Sequence, residues 1–467
     1  MHADAIILDA GARFPVRQIS ATVTWIAGIG GGLATIALLY PGRYPFDSAY
    51  QLWQARIGVV NDLSPVVMTA LWRALLHATG NPASLFCLDI ALFWAGLVLC
   101  AISIARRAAA RILLLIVFGM APLTLVQMAH VLTDAHLAAV LVLATGLCAR
   151  SIATKQRATL VAAAALVLYA GSIRHNALLA ILPFGAYFAL SSRSQRSLRQ
   201  CIVVGFAGAG AICIVSALLA LGLDRTLADQ RANVWPTIAL WDLAAISVDR
   251  RVLLLPPFTH GPGMTAAELS DTGAFDVLSA TLLFTRSHSG MRYGIDVPYT
   301  RVELRGLFGA WLTAIVRYPL AYAHHRLRTF WLLIGPHRGD AQRFAFYTGR
   351  VQYRDNPPLP TAIAPRAQRA FDRFADALRA TWLFAGLPYI LLNVIACILG
   401  WRHRNHPTAR LGLTVGSAAL LYAAGFLPLA PAAELRYLTW TIIAAPLAIA
   451  FAWRGPAYAS EPVRGAP

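Results

Sequence analysis

Charge is scarce in this chain. Only 13% of its 467 residues are Asp, Glu, Lys or Arg, and lysine occurs once, at Lys155. Soluble domains carry about 25% charge, so the deficit excludes an ordinary cytosolic enzyme and a disordered regulator. Cysteine is missing from the polar segments: Cys87, Cys100, Cys148, Cys201, Cys213 and Cys397 all lie inside apolar runs. There they act as small hydrophobes, which leaves neither a disulfide framework nor a CxxC metal motif. Internal repeats are absent too. The glycines of GIGGG (28–32) lie within an apolar run, so they point to close helix packing rather than a phosphate loop.

Apolar residues are abundant, at 58% of the chain with a mean hydropathy of +0.59. The expected fold class is all-α: a polytopic membrane protein of about ten transmembrane helices plus interfacial amphipathic helices. Runs near the roughly 20 residues a bilayer crossing needs fall at about 20–40, 84–105, 112–130, 135–149, 158–173, 177–190, 201–223, 381–400, 411–429 and 436–453. The first follows Arg13 and Arg17 and reads as an uncleaved signal anchor.

The formal charge of +19 would suggest nucleic acid in a soluble protein, but here it is first a topology signal. With a cytoplasmic N-terminus, the short inner segments carry 16 of the 40 basic residues and the short outer ones five: Arg43, Arg56, Arg73, Arg174 and Arg436. The other 19 lie in one long stretch, 224–380, beside 13 acidic residues. That bias places both termini in the cytoplasm and leaves no case for a nucleic-acid partner.

The chain thus divides into a membrane module (1–223) with a long first outer loop (41–83), an outer segment (224–380), and a C-terminal three-helix membrane segment with a cytoplasmic tail (381–467). In the first loop, Tyr50, Trp53 and Ile57 share one helical face, and Leu63, Val67, Leu71, Leu75 and Ala78 form a second stripe. In the outer segment, Arg317, Pro319, His324, His325, Arg326 and Arg328 interrupt the apolar piece 307–335, which is expected to be a broken interfacial or re-entrant helix. Residues 365–380 are expected to form an amphipathic helix.

Among so few charges, position is informative. Asp89 lies inside the second run, where a carboxylate is costly and functional by default. Asp47, just past the first run, and Asp134, in the turn after the third, fall on the same outer side. A carboxylate held among apolar groups can act as a general base, and helix capping is the alternative for both. Arg174-His175-Asn176 and Glu434-Leu435-Arg436 lie on that side as well. Either arginine could grip a phosphate, or could snorkel or pair with Glu434. His130, His136, His324 and His325 match no strong ligand spacing.

The stretch YPGRYPFDSAYQLWQA (40–55) with NDLSPVVMTALWRALL (61–76), the turn RHNALLAILP (174–183) and AELRYLTW (433–440) together resemble the GT-C superfamily of integral-membrane glycosyltransferases that use polyprenyl-phosphate sugars. The likeness covers residues 20–200 and, more loosely, the last 90. It implies transfer of a sugar from a lipid-linked donor to an acceptor at the outer face of a bacterial inner membrane, with membrane lipids as the other partners. Under it, Asp47 is the catalytic base and Asp134 positions the acceptor or a metal or shares the proton. Arg174, His175 and Arg436 are candidate ligands of the donor phosphate, and Asp89, His130 and Glu434 are accessory. Ser48 follows Asp47, so no DxD pair is present; a divalent metal is conceivable without a motif, and the cofactor is left unknown. The alternative is a multi-pass transporter or flippase of lipid-linked saccharides or small solutes, which would place charge at mid-membrane.

Overall fold

The computed structural model describes residues 13–174, 176–191, 197–230, 233–271, 273–285, 291 and 299–459. Among them the regular structure is helical, joined by isolated β-bridges. The first half comprises α1 (Arg13–Leu39), α2 (Phe46–Ile57), α3 (Val66–Thr79), α4 (Ser84–Ile104), α5 (Ala108–Gly119), α6 (Pro122–Ala129), α7 (Thr133–Thr154), α8 (Arg157–Ile173), α9 (Ala177–Ser191) and α10 (Leu198–Leu227). Residues 224–380 hold α11 (Trp235–Arg250), the short α12 (Ala266–Asp271) and α13 (Leu282–Thr285), α14 (Arg301–Arg317), α15 (Pro319–Ile334) and α16 (Pro365–Leu378). The chain then closes with α17 (Leu387–Arg402), α18 (Pro407–Leu429) and α19 (Thr439–Ala459).

Each of the ten apolar runs lies on helix. Among the described residues, six helical stretches are long and apolar enough to cross a bilayer: Ala21–Leu39, Ser84–Ile104, Thr133–Thr154, Arg199–Leu227, Pro407–Leu429 and Leu435–Trp453. A seventh forms if α5 and α6, bent by 58° at their junction, count as one span. The apolar helices α8, α9 and α17 have 17, 15 and 16 residues. Large apolar side chains face outward from this bundle, among them Ile26, Ile29, Leu33, Val203 and Phe206. Such a continuous apolar exterior marks a membrane protein.

Small residues set the helix spacing. A Cβ added at Gly96 of α4 would stand 2.6 Å from the backbone nitrogen of Leu143 in α7, so the two helices meet backbone to backbone. The GIGGG glycines serve the same end: Cβ atoms at Gly28 and Gly31 would collide with Val98 and Trp94 of α4. The Trp94 indole N–H donates to Thr35 Oγ1 of α1 at 3.1 Å, which satisfies the polar edge of an otherwise buried ring.

The outer segment has its own apolar cluster, in which Leu240, Leu243 and Ile246 of α11 pack with Leu307 and Ala314 of α14 and Ala321 of α15. The expected break in 307–335 falls at Tyr318, between α14 and α15, because Pro319 cannot continue the hydrogen-bond ladder. Arg326 ties this unit to the bundle: its Nη2 pairs with Asp242 Oδ2 of α11 at 2.7 Å inside the unit, and its Nη1 donates to the Ala430 carbonyl, past α18, at 2.9 Å. Helix α16 lies where an amphipathic helix was expected. The first-loop stripe differs from expectation. Leu63 precedes α3, and the buried residues of that helix are Val66, Met68, Thr69 and Trp72. Val67, Leu71 and Leu75 sit half-buried at the edge of the core, because Trp72, donating its indole N–H to the Pro82 carbonyl at 3.1 Å, turns its own face inward.

Candidate functional site

The turn after α1 is the starting point of the site. Gly42 has φ +99°, a conformation closed to most L-residues, and a Cβ there would strike Val131. This turn lays residues 43–44 between two other extended pieces. Arg43 N–H donates to the Ala129 carbonyl and accepts from Val131 N–H through its own carbonyl, while Val351 N–H donates to the Tyr44 carbonyl at 2.7 Å. Segments 129–131, 43–44 and 350–351 therefore run side by side, fixing where α2 begins and where Asp47, in its first turn, is presented.

Asp47 is more than half exposed, with its side chain at 55%. Its Oδ2 stands 2.7 Å from Nη1 of Arg436, and Arg436 also pairs with Glu434 through Nε. The Arg436 guanidinium lies 5.1 Å from the Tyr437 ring, and Arg174 lies against the same ring, also at 5.1 Å. Arg174 is paired to Asp134, which is buried and accepts a hydrogen bond from the Tyr422 hydroxyl at 3.2 Å. Phe426 stacks on Tyr437 at 5.2 Å and completes the wall. His130 joins by its ring Nε2, which accepts from Tyr347 N–H at 3.1 Å, while the Tyr347 ring lies 6.0 Å from Arg436. Burial pushes the Glu434 carboxyl above its ordinary range, and Arg436 opposes that rise.

The structure thus connects Asp47, Asp134, Arg174, Arg436, Glu434 and His130 in one cluster of acids, arginines and aromatic rings. His175 lies outside the described residues. Asp89 stands apart, fully buried in α4, where its Oδ1 is 2.5 Å from His136 Nδ1; His136 Nε2 meets the Tyr169 hydroxyl at 2.8 Å. Capping does not account for the two outer acids. The N-cap positions of α2 and α7 are Pro45 and Leu132, and neither makes a side-chain cap bond. The expectation of a carboxylate enclosed by apolar groups also needs correction at Asp47, which is exposed. The enclosed acid is Asp134, which is buried and paired with Arg174. Among the described residues no three or more His, Cys, Asp or Glu gather where they could hold one metal ion.

Sequence reasoning overlooked the aromatic walls. Tyr347, Tyr422, Phe426 and Tyr437 come from three distant stretches, and only Tyr437, beside Arg436, had a local signal. It also overlooked the neighbours of α2. Phe46, Tyr50 and Trp53 gather around Tyr353, with ring centroids 5.3–5.8 Å from it. Arg354 lies 4.3 Å from the Trp53 ring. An exposed carboxylate beside arginines and this aromatic ledge can take a proton from a hydroxyl or amine, offset an anionic leaving group and support an apolar or sugar face. No family model, characterised protein or solved structure matches the chain.

Proposed function

We propose that the chain is a GT-C-type glycosyltransferase of a bacterial inner membrane, taking a sugar from a polyprenyl-phosphate donor at the outer face. The observation that carries this reading is the exposed Asp47 carboxylate, connected through Arg436 and Tyr437 to Arg174 and the buried Asp134 paired with it. In the proposed step, Asp47 accepts a proton from the acceptor hydroxyl or amine. The freed lone pair attacks the anomeric carbon while the bond to the phosphate oxygen breaks, and the polyprenyl phosphate departs with that electron pair. Arg436, shared between Asp47 and Glu434, faces the charge growing on the leaving group. Arg174 is the second candidate phosphate ligand and Asp134 holds it in place. A single displacement passes through an oxocarbenium-like state and inverts the anomeric centre. The exposed ring of Phe46, next to Asp47, supports docking of a lipid chain.

The ten-span topology with both termini cytoplasmic belongs to the same proposal. Support comes from the helices under every apolar run and from the arginine bias of the short loops. The test is transfer from a panel of polyprenyl-phosphate sugars in membranes by wild type and Asp47→Asn. Product from wild type alone supports the reading; equal product from both removes Asp47 from the chemistry.

One observation favours the transporter reading: the Asp89–His136–Tyr169 chain buried within the helical bundle, with Asp89 Oδ2 lacking a partner. Intramembrane carboxylate–histidine chains serve proton-coupled carriers. Under that reading wild type moves solute in proteoliposomes and shows no glycosyl transfer, and Asp89→Asn abolishes the movement.

A further inference from the structure

On the other side of segment 346–351 from the Asp47 cluster, the ladder places a second set of arginines. Arg43 is 2% exposed. Its Nη2 pairs with Asp372 of α16, but its Nη1 is buried without a hydrogen-bond partner. A buried guanidinium nitrogen left unpaired is costly, and native structures rarely leave one without a purpose. The atom belongs to a residue lining a cleft of about 290 Å³, to which Arg350, Gln368, Asp372 and Thr348 also contribute. That cleft continues, through the shared Thr348 and Asp372, into a second of about 550 Å³ rimmed by Arg366, Arg369 and Arg373. The second volume is within the roughly 300–1,000 Å³ of small-molecule sites.

The charge in the cleft is unbalanced. Five arginines face two aspartates, and each aspartate is already engaged: Asp372 by Arg43 and Asp376 by Arg379. Arg350, Arg366, Arg369 and Arg373 make no ion pair among the described residues. Arg350 is only steadied, its Nε donating to the Gly42 carbonyl at 3.3 Å. The three exposed arginines of α16 recur every three or four residues, so they project from one face of the helix. Burial lowers the pKa of Arg43 against the opposing pull of Asp372, and burial also lowers that of Arg350. Both groups stand where a further negative charge would be welcome.

The geometry points to a phosphate-binding cleft formed by Arg43, Arg350 and the arginine face of α16, taking a phosphate or diphosphate group at the outer end of α1. Guanidinium forks arranged around a polar cleft match tetrahedral phosphate oxygens by bidentate hydrogen bonds. Gln368, which donates to the Leu39 carbonyl at 3.2 Å and accepts from Arg350 at 3.4 Å, links the two halves and keeps the α16 face turned toward the end of α1. The ligand is a membrane phospholipid headgroup or a free or lipid-linked diphosphate, since both offer the same chemistry. Binding at this cleft does not depend on sugar transfer and is read without it.

The test is titration of inorganic pyrophosphate into the full chain, in nanodiscs of phosphatidylcholine alone or with phosphatidylglycerol. Wild type binds pyrophosphate in the neutral discs, more weakly as salt rises. The paired variant Arg350→Gln/Arg369→Gln loses about tenfold or more, the equivalent of one or two charge-assisted hydrogen bonds. Both substituted residues are exposed, so the protein keeps its fold, while Arg402→Gln/Arg404→Gln, on another exposed segment, leaves binding unchanged. If phosphatidylglycerol competes with pyrophosphate, the ligand is a headgroup; if it does not, the ligand is a diphosphate from solution or from a lipid carrier. Absence of pyrophosphate binding together with absence of stabilisation by phosphatidylglycerol overturns the cleft. So does binding that survives Arg350→Gln/Arg369→Gln.

Discussion

The two arginine clusters beside segment 346–351 are built from the same residue types to opposite ends. Around Asp47, two arginines face three carboxylates, and every guanidinium has an acid against it. Around Arg43, five arginines face two aspartates, and Arg43 keeps a buried nitrogen without a partner. A saturated cluster holds its side chains in one arrangement, as a site that must place a base and a leaving group requires. An unsaturated one stores attraction for a ligand to complete. The difference lies in the pairing: arginines held by acids are fixed in position, and arginines left unpaired keep charge for a ligand to complete.

The largest expected effect tests the saturated cluster. Asp134→Ala removes the acid against Arg174 and leaves that guanidinium among Phe426, Tyr437 and Tyr422, at a cost of about 3–5 kcal/mol. Thermal unfolding in detergent checks it; a variant as stable as wild type would mean the pair is not structural. Arg43→Gln is the matching change across the segment. Asp372, with 26% of its side chain exposed, can regain water, so the loss is smaller, about 1–3 kcal/mol, and pyrophosphate binding disappears with it.

Asp372→Asn should separate the clusters by sign. Removing this acid frees Arg43 for a ligand, so pyrophosphate affinity rises several-fold, while the melting temperature of the unliganded protein falls because the buried Arg43 guanidinium loses its acid. Weaker binding would show that Asp372 shapes the cleft rather than competing with its ligand.

The smallest effect is a pH response at the joint between the outer segment and the last helices. His337 Nε2 lies 2.9 Å from the Ala433 carbonyl, beside Glu434. Burial lowers its pKa from the usual 6.5, opposed by that hydrogen bond. The folded chain therefore keeps His337 neutral while the unfolded chain takes up its proton first, and the unfolded state gains as pH falls. The stabilisation due to a neutral His337 is complete above about pH 6.5 and shrinks below it. Replacing His337 with Gln should flatten that part of the stability profile, measured as the difference from wild type between pH 7 and pH 5.

Much of this architecture was legible in the sequence because it depends on local pattern. Apolar runs mark helices wherever a bilayer must be crossed, Pro319 marks the break between α14 and α15, and the spacing of Phe371 and Leu378 marks part of the inner face of α16, which Ala375 completes. Asp47 and Asp134 could be read as a group because the expected alternation of spans puts both on one side. The pairing was not legible. Asp47 and Arg436 are separated by almost the whole chain, and no local signal says that Asp134 takes Arg174; only the pairing of Glu434 with Arg436, two residues apart, could be anticipated. Asp89 looked accessory to the same cluster yet is buried with His136, two residues beyond Asp134 on α7. The cleft around Arg43 was invisible for the same reason, since its walls come from residues about 300 positions apart. One hint was available: Arg43 is among only five arginines in the short outer segments.

The central claim is that Asp47 is the base of a sugar transfer at the outer membrane face. Its most direct test is the rate of glycosyl transfer from a matched polyprenyl-phosphate sugar by purified Asp47→Asn, with thermal stability measured on the same sample. The rate should fall by at least about 100-fold, in the range of a removed general base, with the melting temperature essentially unchanged because Asp47 is exposed. Transfer at the wild-type rate by a folded Asp47→Asn would contradict it.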